Sequence, residues 1–317
     1  MSRGQVLALF LVCTQIVTHK ILITDAHSPV GKAIHRAFEH TSFAVITPAV
    51  DSFEWEDVPQ LVALLEEHQI DVIINTAGWQ ETPGVGNQLL LVSATKAIAD
   101  AAQQVGCVVL HLSSYRVFGG ENKSTYDEQD KPFPLGPAGR AFLEAERVLE
   151  RNLERYICLR VSWVLDIVGE SVFRRLLQDL VVEGDVLEVT HQRRGSPISA
   201  TEIGRMMLAM VQQIVCGAEN WGVFHLSSGD PCSSAEFAEA VADILEREGA
   251  LKRDWCVESL SEEELQQQGE PDSAALAVRR CRDNFGYQIR SWRQGLTGIV
   301  RTWLAQQSIP TSRETSQ

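Results

Sequence analysis

The chain has 317 residues, 44% hydrophobic and 22% charged, long enough for one large or two closely joined domains with a substantial core. Its formal net charge of -14 opposes phosphodiester backbones and anionic membrane surfaces, which are bound through clustered Lys and Arg, so neither nucleic acid nor membrane is an expected partner. Seven cysteines (Cys13, Cys107, Cys158, Cys216, Cys232, Cys256 and Cys281) are scattered without a C-x-x-C pair, the pattern of buried reduced thiols in a cytoplasmic protein.

Val6 to Cys13 is an apolar run following Arg3. It is far shorter than the roughly 20 apolar residues of a membrane span, and no small-residue cleavage site follows it. Residues 1–16 therefore read as an appended extension, with the fold beginning at Val17. From there to about Trp163, β-branched runs alternate with segments of helical period. The predicted strands are Lys20 to Thr24, Phe43 to Thr47, Asp71 to Asn75, Cys107 to Ser114 and Tyr156 to Trp163. Between them, Val58 to His68, Gln88 to Gln104 and Pro137 to Asn152 place apolar residues at i, i+3, i+4 and i+7, giving each helix one face to lay on a sheet. Alternation of this kind predicts an α/β, doubly wound parallel sheet of the Rossmann type.

Beyond Trp163 the spacing predicts a helix over Val172 to Val182, a strand over Val186 to Thr190, a helix over Ala200 to Val215, a strand over Val223 to Ser227 and a helix over Ala235 to Glu248. A capping box, Ser261 to Glu264, predicts a further short helix, and Trp292 to Gln306 reads as the last. The expected organisation is a dinucleotide-binding domain over 17–165, rejoined by 200–228, with a small α/β lobe from 166–199 and 229–307. Residues 308–317 read as a disordered polar tail.

A turn that receives a pyrophosphate after a first strand uses glycines so that backbone N–H groups can approach the anion. Here it reads KILITDAHSPVGKAI, Lys20 to Ile34. Against G-x-x-G-x-x-G, the first glycine is Asp25, the second is Ser28, and Gly31 alone remains. Asp25 sets a carboxylate where the helix dipole should attract a phosphate. Ser28 and Pro29 also make a sound helix start on structural grounds alone, as N-cap and first helical residue. INTAGW, Ile74 to Trp79, ends a strand at the carboxyl edge, where ligands of open α/β sheets lie. No metal-ligand spacing, Ser-His-Asp signature or Walker loop is visible.

Several segments together resemble the dTDP-4-dehydrorhamnose reductase family of short-chain reductases over nearly all of Lys20 to Ala305. SSYRVFGG (Ser113 to Gly120) resembles S-T-D-Y-V-F, and PFPLGPAGRAFLEAE (Pro132 to Glu146) resembles P-L-x-x-Y-G-x-x-K-x-x-x-E. RVSWV (Arg160 to Val164), QRRGSPIS (Gln192 to Ser199) and GVFHLSSGD (Gly222 to Asp230) resemble R-x-S-W-V, D-Q-x-G-x-P-T and G-x-Y-H-x-x-G. EPDSAAL (Glu270 to Leu276) stands where the family has R-P-x-N-S-x-L, so its arginine is gone.

The resemblance implies NADP(H) or NAD(H) as cofactor, with Ser28, Pro29, Val30, Gly31, Glu54, Trp55, Asn75, Gly78 and Trp79 around it. It implies a substrate pocket at Ser114, Tyr115, Trp163 and Arg193, with Glu128 matching an acidic loop residue. In such reductases a tyrosine hydroxyl passes a proton to the substrate carbonyl, and a lysine one turn later lowers its pKa. The matching positions here are Ala138 and Phe142. Four residues beyond Tyr115, Tyr126, Tyr156 and Tyr287 stand Gly119, Asp130, Arg160 and Ser291, so no Tyr-x-x-x-Lys exists in the chain.

Three functions follow as expectations. In the first, the protein no longer reduces, binds a nucleotide-sugar, a dinucleotide or a protein partner, and regulates or scaffolds, as the related regulatory subunit of methionine adenosyltransferase does. In the second it remains an NADPH-dependent nucleotide-sugar reductase or epimerase with Ser114 and Tyr115 as a relocated catalytic pair, Arg140 or Lys131 lending charge. In the third it is a loose dinucleotide sensor. A homodimer is compatible with each.

Overall fold

A computed structural model describes residues 18–49, 53–119, 123–168, 171–183, 187–251, 257–259, 270–288 and 290–307. The capping box at Ser261 and Glu264, the extension over 1–16 and the tail over 308–317 lie outside the described residues. In chain order the first half comprises β1 (Lys20–Ile23), α1 (Pro29–Phe38), β2 (Ala44–Ile46), α2 (Val58–His68), β3 (Val72–Asn75), α3 (Val85–Val105), β4 (Val108–Ser114), α4 (Pro137–Asn152) and β5 (Tyr156–Val161). A short 3-10 turn, Tyr115–Val117, follows β4 directly.

The second half comprises β6 (Val164–Leu165), α5 (Val172–Gln178), β7 (Leu187–Val189), β8 (Arg194–Gly195), β9 (Ile198–Ser199), α6 (Ala200–Val215) and β10 (Gly222–Leu226). After these come β11 (Cys232–Ser233), α7 (Ser234–Arg247), β12 (Val257–Ser259), β13 (Ser273–Ala274), α8 (Arg279–Phe285) and α9 (Arg293–Gln306).

The main sheet is parallel throughout, in the order β10-β5-β4-β3-β1-β2. Because side chains alternate across a strand, Ile21 and Ile23 enter one apolar layer with Ile34 and Phe38 of α1 and Ile203, Met207 and Met210 of α6. Leu22 points the other way, into the layer of Leu61 and Leu65 from α2 and Ala94, Ile98 and Ala101 from α3. Burial on both faces explains why these strands read as continuous apolar runs; each buried aliphatic side chain stabilises by about 1.5–3 kcal/mol. β10 extends the sheet beyond β5, with Phe224 opposite Leu159.

Outside this sheet the strands are short: β11-β8-β13, β12-β7 and β6-β9. A third core, with Phe173, Phe237, Val241, Trp292 and Trp303, joins α5, α7 and α9. Several expectations are corrected here. The two-residue strands of the small sheet and helix α8 carry too little periodicity to be read from sequence. The helix from Val172 is α-helical only to Gln178 and continues as a π-helical turn over Asp179–Glu183. A capping box is formed by Ser233 and Glu236 at the start of α7. Cys107, Cys158, Cys232 and Cys281 are buried, but Cys216, just past the end of α6, is exposed. No helix among the described residues is long and apolar enough to cross a membrane.

Candidate ligand-binding site

The turn between β1 and α1 closes on itself. Asp25 adopts φ of 49°, a left-handed conformation tolerated by aspartate and free of strain only for glycine. Its carbonyl accepts from Ser28 N at 3.0 Å and Ser28 Oγ at 2.9 Å, while Ser28 Oγ accepts from Gly31 N at 3.1 Å. Pro29 brings no N–H. Burial holds the Asp25 carboxyl above its ordinary pKa, against the hydrogen bond from Ser28 and the nearby His27. Gly31 is required sterically, since a Cβ there would lie 2.2 Å from the Asp25 carbonyl oxygen. Val30 is buried beneath the same turn.

At the end of β3, the Asn75 side chain is consumed internally. Its Nδ2 donates to Thr95 Oγ1 at 3.0 Å and lies 3.1 Å from His111 Nδ1, and its Oδ1 accepts from Thr24 Oγ1 at 3.1 Å. Thr24 Oγ1 in turn accepts from the backbone of Thr76 and Ala77 at 2.8 and 3.0 Å, tying β1 to β3. Gly78 has φ of 69° and rests against α3, where a Cβ would be 2.5 Å from Leu91 N. Trp79 is buried, its indole donating to the Ser113 carbonyl at 3.3 Å across the ends of β3 and β4. Glu54, in the connection from β2 to α2, is exposed, and Trp55 leans on Phe53 with ring centroids 4.6 Å apart.

The positions of the reductase tyrosine and lysine lie on α4. Ala138 is half-buried in the first turn, and Phe142 is 0% exposed in the core beside Leu112 and Phe118. Gly139 lets α4 press on the 3-10 turn: a Cβ would sit 2.1 Å from the Arg116 carbonyl oxygen. Ser114 is buried, its Oγ accepting from Arg116 N at 3.3 Å. Arg140 is exposed, donating to the Leu135 carbonyl, and Lys131 is exposed too, so neither supplies charge at the end of β4. Below this edge, Glu146 and Arg160 form a buried pair through Nε–Oε1 at 2.9 Å and Nη2–Oε2 at 2.6 Å, with Ser113 Oγ donating to the same carboxylate at 2.5 Å.

A cavity of about 440 Å³ opens at the carboxyl edge of the main sheet, walled on its other side by residues of α5, β7 and α7. It brings Tyr115, Trp163 and Arg193 together, while Ser114 does not line it. The charged lining residues Glu81 and Arg116 carry no sequence signal, whereas Glu270 stands at the position of the lost arginine. Glu270 replaces the family arginine with a carboxylate, whose Oε1 accepts from Arg116 Nε at 2.8 Å and whose Oε2 accepts from the Tyr115 hydroxyl at 3.0 Å. Burial pushes the Tyr115 phenol well above its ordinary pKa, and the Glu270 charge adds to that against the pull of Arg116.

Glu81 reaches over from the β3-α3 loop, accepting from Val164 N at 3.1 Å and Val172 N at 3.3 Å. Desolvation pushes its carboxyl up to about 7, with Arg116 opposing. Trp163 lies flat on Gly195, where a Cβ would come within 2.3 Å of the indole, so the glycine of β8 makes room for the ring. Phe173, Leu176, Val189 and Phe237 complete an apolar wall. Arg194, by contrast, is on the surface, donating to the Pro231 carbonyl at 3.1 Å. Among the described residues no His, Cys, Asp and Glu cluster could hold a metal ion.

The model of the RmlD substrate binding domain matches residues 19–304. A dTDP-4-dehydrorhamnose reductase of Burkholderia thailandensis is 25% identical over 90% of this chain and 100% of its own length. Methionine adenosyltransferase 2 subunit beta of Xenopus laevis is 25% identical over 72% of each chain. Among solved structures, the dTDP-4-dehydrorhamnose reductase of Bacillus anthracis in complex with NADP superposes with a TM-score of 0.77 at 20% identity, covering 90% of this chain and 99% of that one. With a parallel sheet of the same type and a family match across nearly its whole length, this chain belongs to the RmlD substrate binding domain family.

Proposed function

We propose that this protein keeps the frame of a nucleotide-sugar reductase and binds a small molecule in the cavity at the carboxyl edge, without transferring hydride. The observation that carries the reading is Phe142, fully buried where a reductase needs a lysine, one turn from Ala138 where it needs a tyrosine. Neither side chain can give or hold a proton. The β1-α1 turn fits a pyrophosphate poorly: Asp25 presents a carboxylate, Ser28 occupies the Gly31 N–H, and Pro29 has none to offer. NADP(H) or NAD(H) therefore binds weakly or not at all. That the relatives include both reductases and a subunit of another enzyme supports a ligand-binding or regulatory use of this fold.

The alternative, an active reductase using Tyr115, has one observation in its favour: Tyr115 does face the cavity beside Trp163 and Arg193. Its hydroxyl, however, donates to Glu270, and its raised pKa makes it a weaker acid, the opposite of what proton delivery requires. Titration with NADPH and NADH followed by tryptophan fluorescence, then an assay with a dTDP-4-dehydro sugar, tests the reading. Absence of turnover supports it; NADPH oxidation abolished by Tyr115→Phe overturns it.

A further inference from the structure

Above about pH 7, with Glu81 ionised, the charged part of the cavity is electrically balanced. Among its described lining residues, the carboxylates of Glu81 and Glu270 stand with the guanidiniums of Arg116 and Arg193. Glu270 is locked in place by Arg116 at 2.8 Å and Tyr115 at 3.0 Å, and the Arg116 side chain is only 7% exposed. The charge of Arg116 is thus neutralised within the protein. The Glu81 carboxylate is fixed too, by two backbone N–H groups. The remaining surface carries no charge: it is mostly apolar, from Trp163, Phe173, Leu176 and Phe237, with the hydroxyl residues Thr82, Thr190 and Ser234 among them.

Diphosphates are recognised by uncancelled cations or by converging N–H donors, because the anion loses hydration that something must replace. A lining whose charges cancel cannot do this, whereas it suits a molecule of no net charge with an apolar or ring-shaped body and a few polar groups. We propose that the cavity takes an electroneutral small molecule, and that Glu270, paired to Arg116, is the specificity-determining residue that excludes a diphosphate. This rests on the reading that the cavity binds a ligand.

Thymidine and thymidine diphosphate serve as matched probes, titrated calorimetrically into the full chain at pH 8, where Glu81 is ionised. In the wild type the diphosphate adds no affinity. Glu270→Gln keeps an acceptor for Arg116 and Tyr115 but removes the charge; it strengthens thymidine diphosphate binding roughly tenfold or more and leaves thymidine within about twofold. Glu81→Gln, which removes the other negative charge at a separate place, gives a gain of the same sign, so either variant decides if the other fails to fold. The double variant Arg116→Gln/Glu270→Gln is again electroneutral and behaves as the wild type.

Wild-type preference for the diphosphate by roughly tenfold or more overturns the proposal. So does the absence of any gain in the folded single variants, including no binding by any form, and so does an equal gain in the double variant, which would trace the effect to loosening instead of charge. NADPH oxidation by the wild type would overturn the non-reducing reading alone and leave this binding comparison standing.

Discussion

The Tyr115 hydroxyl donates to the Glu270 carboxylate across 3.0 Å, joining residues 155 apart in the chain. Tyr115 is held by β4 and its 3-10 turn, and Glu270 by the segment leading into β13, so the contact ties the main sheet to the small sheet β11-β8-β13. Tyr115→Phe removes one donor from a carboxylate that keeps Arg116. A loss of about 1–2 kcal/mol in urea unfolding is expected, with the fold intact. An unchanged midpoint would mean that the bond carries no weight.

Restoring the reductase pair should not restore a reductase. Phe142→Lys places an ammonium in the layer of Leu112 and Phe118, where the buried carboxylate one turn along α4, Glu146, is already held by Arg160. Together with Ala138→Tyr, the substitution should lower stability by about 3 kcal/mol or more without producing NADPH oxidation. A stable double variant with turnover would show that only these two side chains separate this chain from an enzyme.

The Glu146 and Arg160 pair is buried at both ends, with side-chain exposures of 6% and 4%. Arg160→Met leaves the carboxylate without its cation, and a loss of about 3–5 kcal/mol in chemical denaturation is expected. Replacing both, as Glu146→Met with Arg160→Met, should recover part of that loss, because neither charge then remains stranded. Equal losses in the single and double variants would contradict this.

Acid should unfold the protein through its buried histidines. Burial pushes His111 down to about 4 despite Glu146, and burial with the Arg160 charge pushes His225 down to about 3 despite the Tyr126 carbonyl. Both folded values lie below the unfolded one near 6.5, so the unfolded chain binds the extra protons. Stability from these rings is complete above about pH 6.5 and falls toward pH 4, by up to roughly 3 kcal/mol per ring. Glu81, raised to about 7 by burial, works in the opposite sense between its ordinary pKa and 7, as do Asp25, Glu128 and Asp166, which burial also raises. Urea midpoints at pH 4.5 and 7 measure the slope, which His225→Asn should reduce; a wild type equally stable at both would contradict the account.

Gly195→Ala is expected to displace the Trp163 ring, since the new Cβ would lie within 2.3 Å of it. A change in tryptophan emission, with weaker binding of any cavity ligand, would follow. Unaltered emission would place Trp163 elsewhere.

The sheet was legible because its strands are buried on both faces, and the spacing of α2 and α4 marked their limits at Val58, His68, Pro137 and Asn152. The losses at Asp25, Ala138 and Phe142 were legible for a related reason: the framing residues Gly31, Gly139 and Glu146 pin the register. The cavity was not. Glu81, Arg116 and Glu270 come from three separate segments, and nothing in a local pattern says that 155 residues of chain close into one hydrogen bond. Motif position assigns Ser114 to the pocket, yet the 3-10 turn sets its Oγ against Arg116 N and leaves Tyr115 and Arg116 at the cavity wall.

The central claim is that a preserved reductase frame no longer moves hydride. NADPH oxidation in the presence of a dTDP-4-dehydro sugar, followed at 340 nm with the wild type and Tyr115→Phe side by side, tests it most directly. The account predicts no oxidation above the uncatalysed rate in either protein. Oxidation by the wild type that disappears in Tyr115→Phe would contradict it.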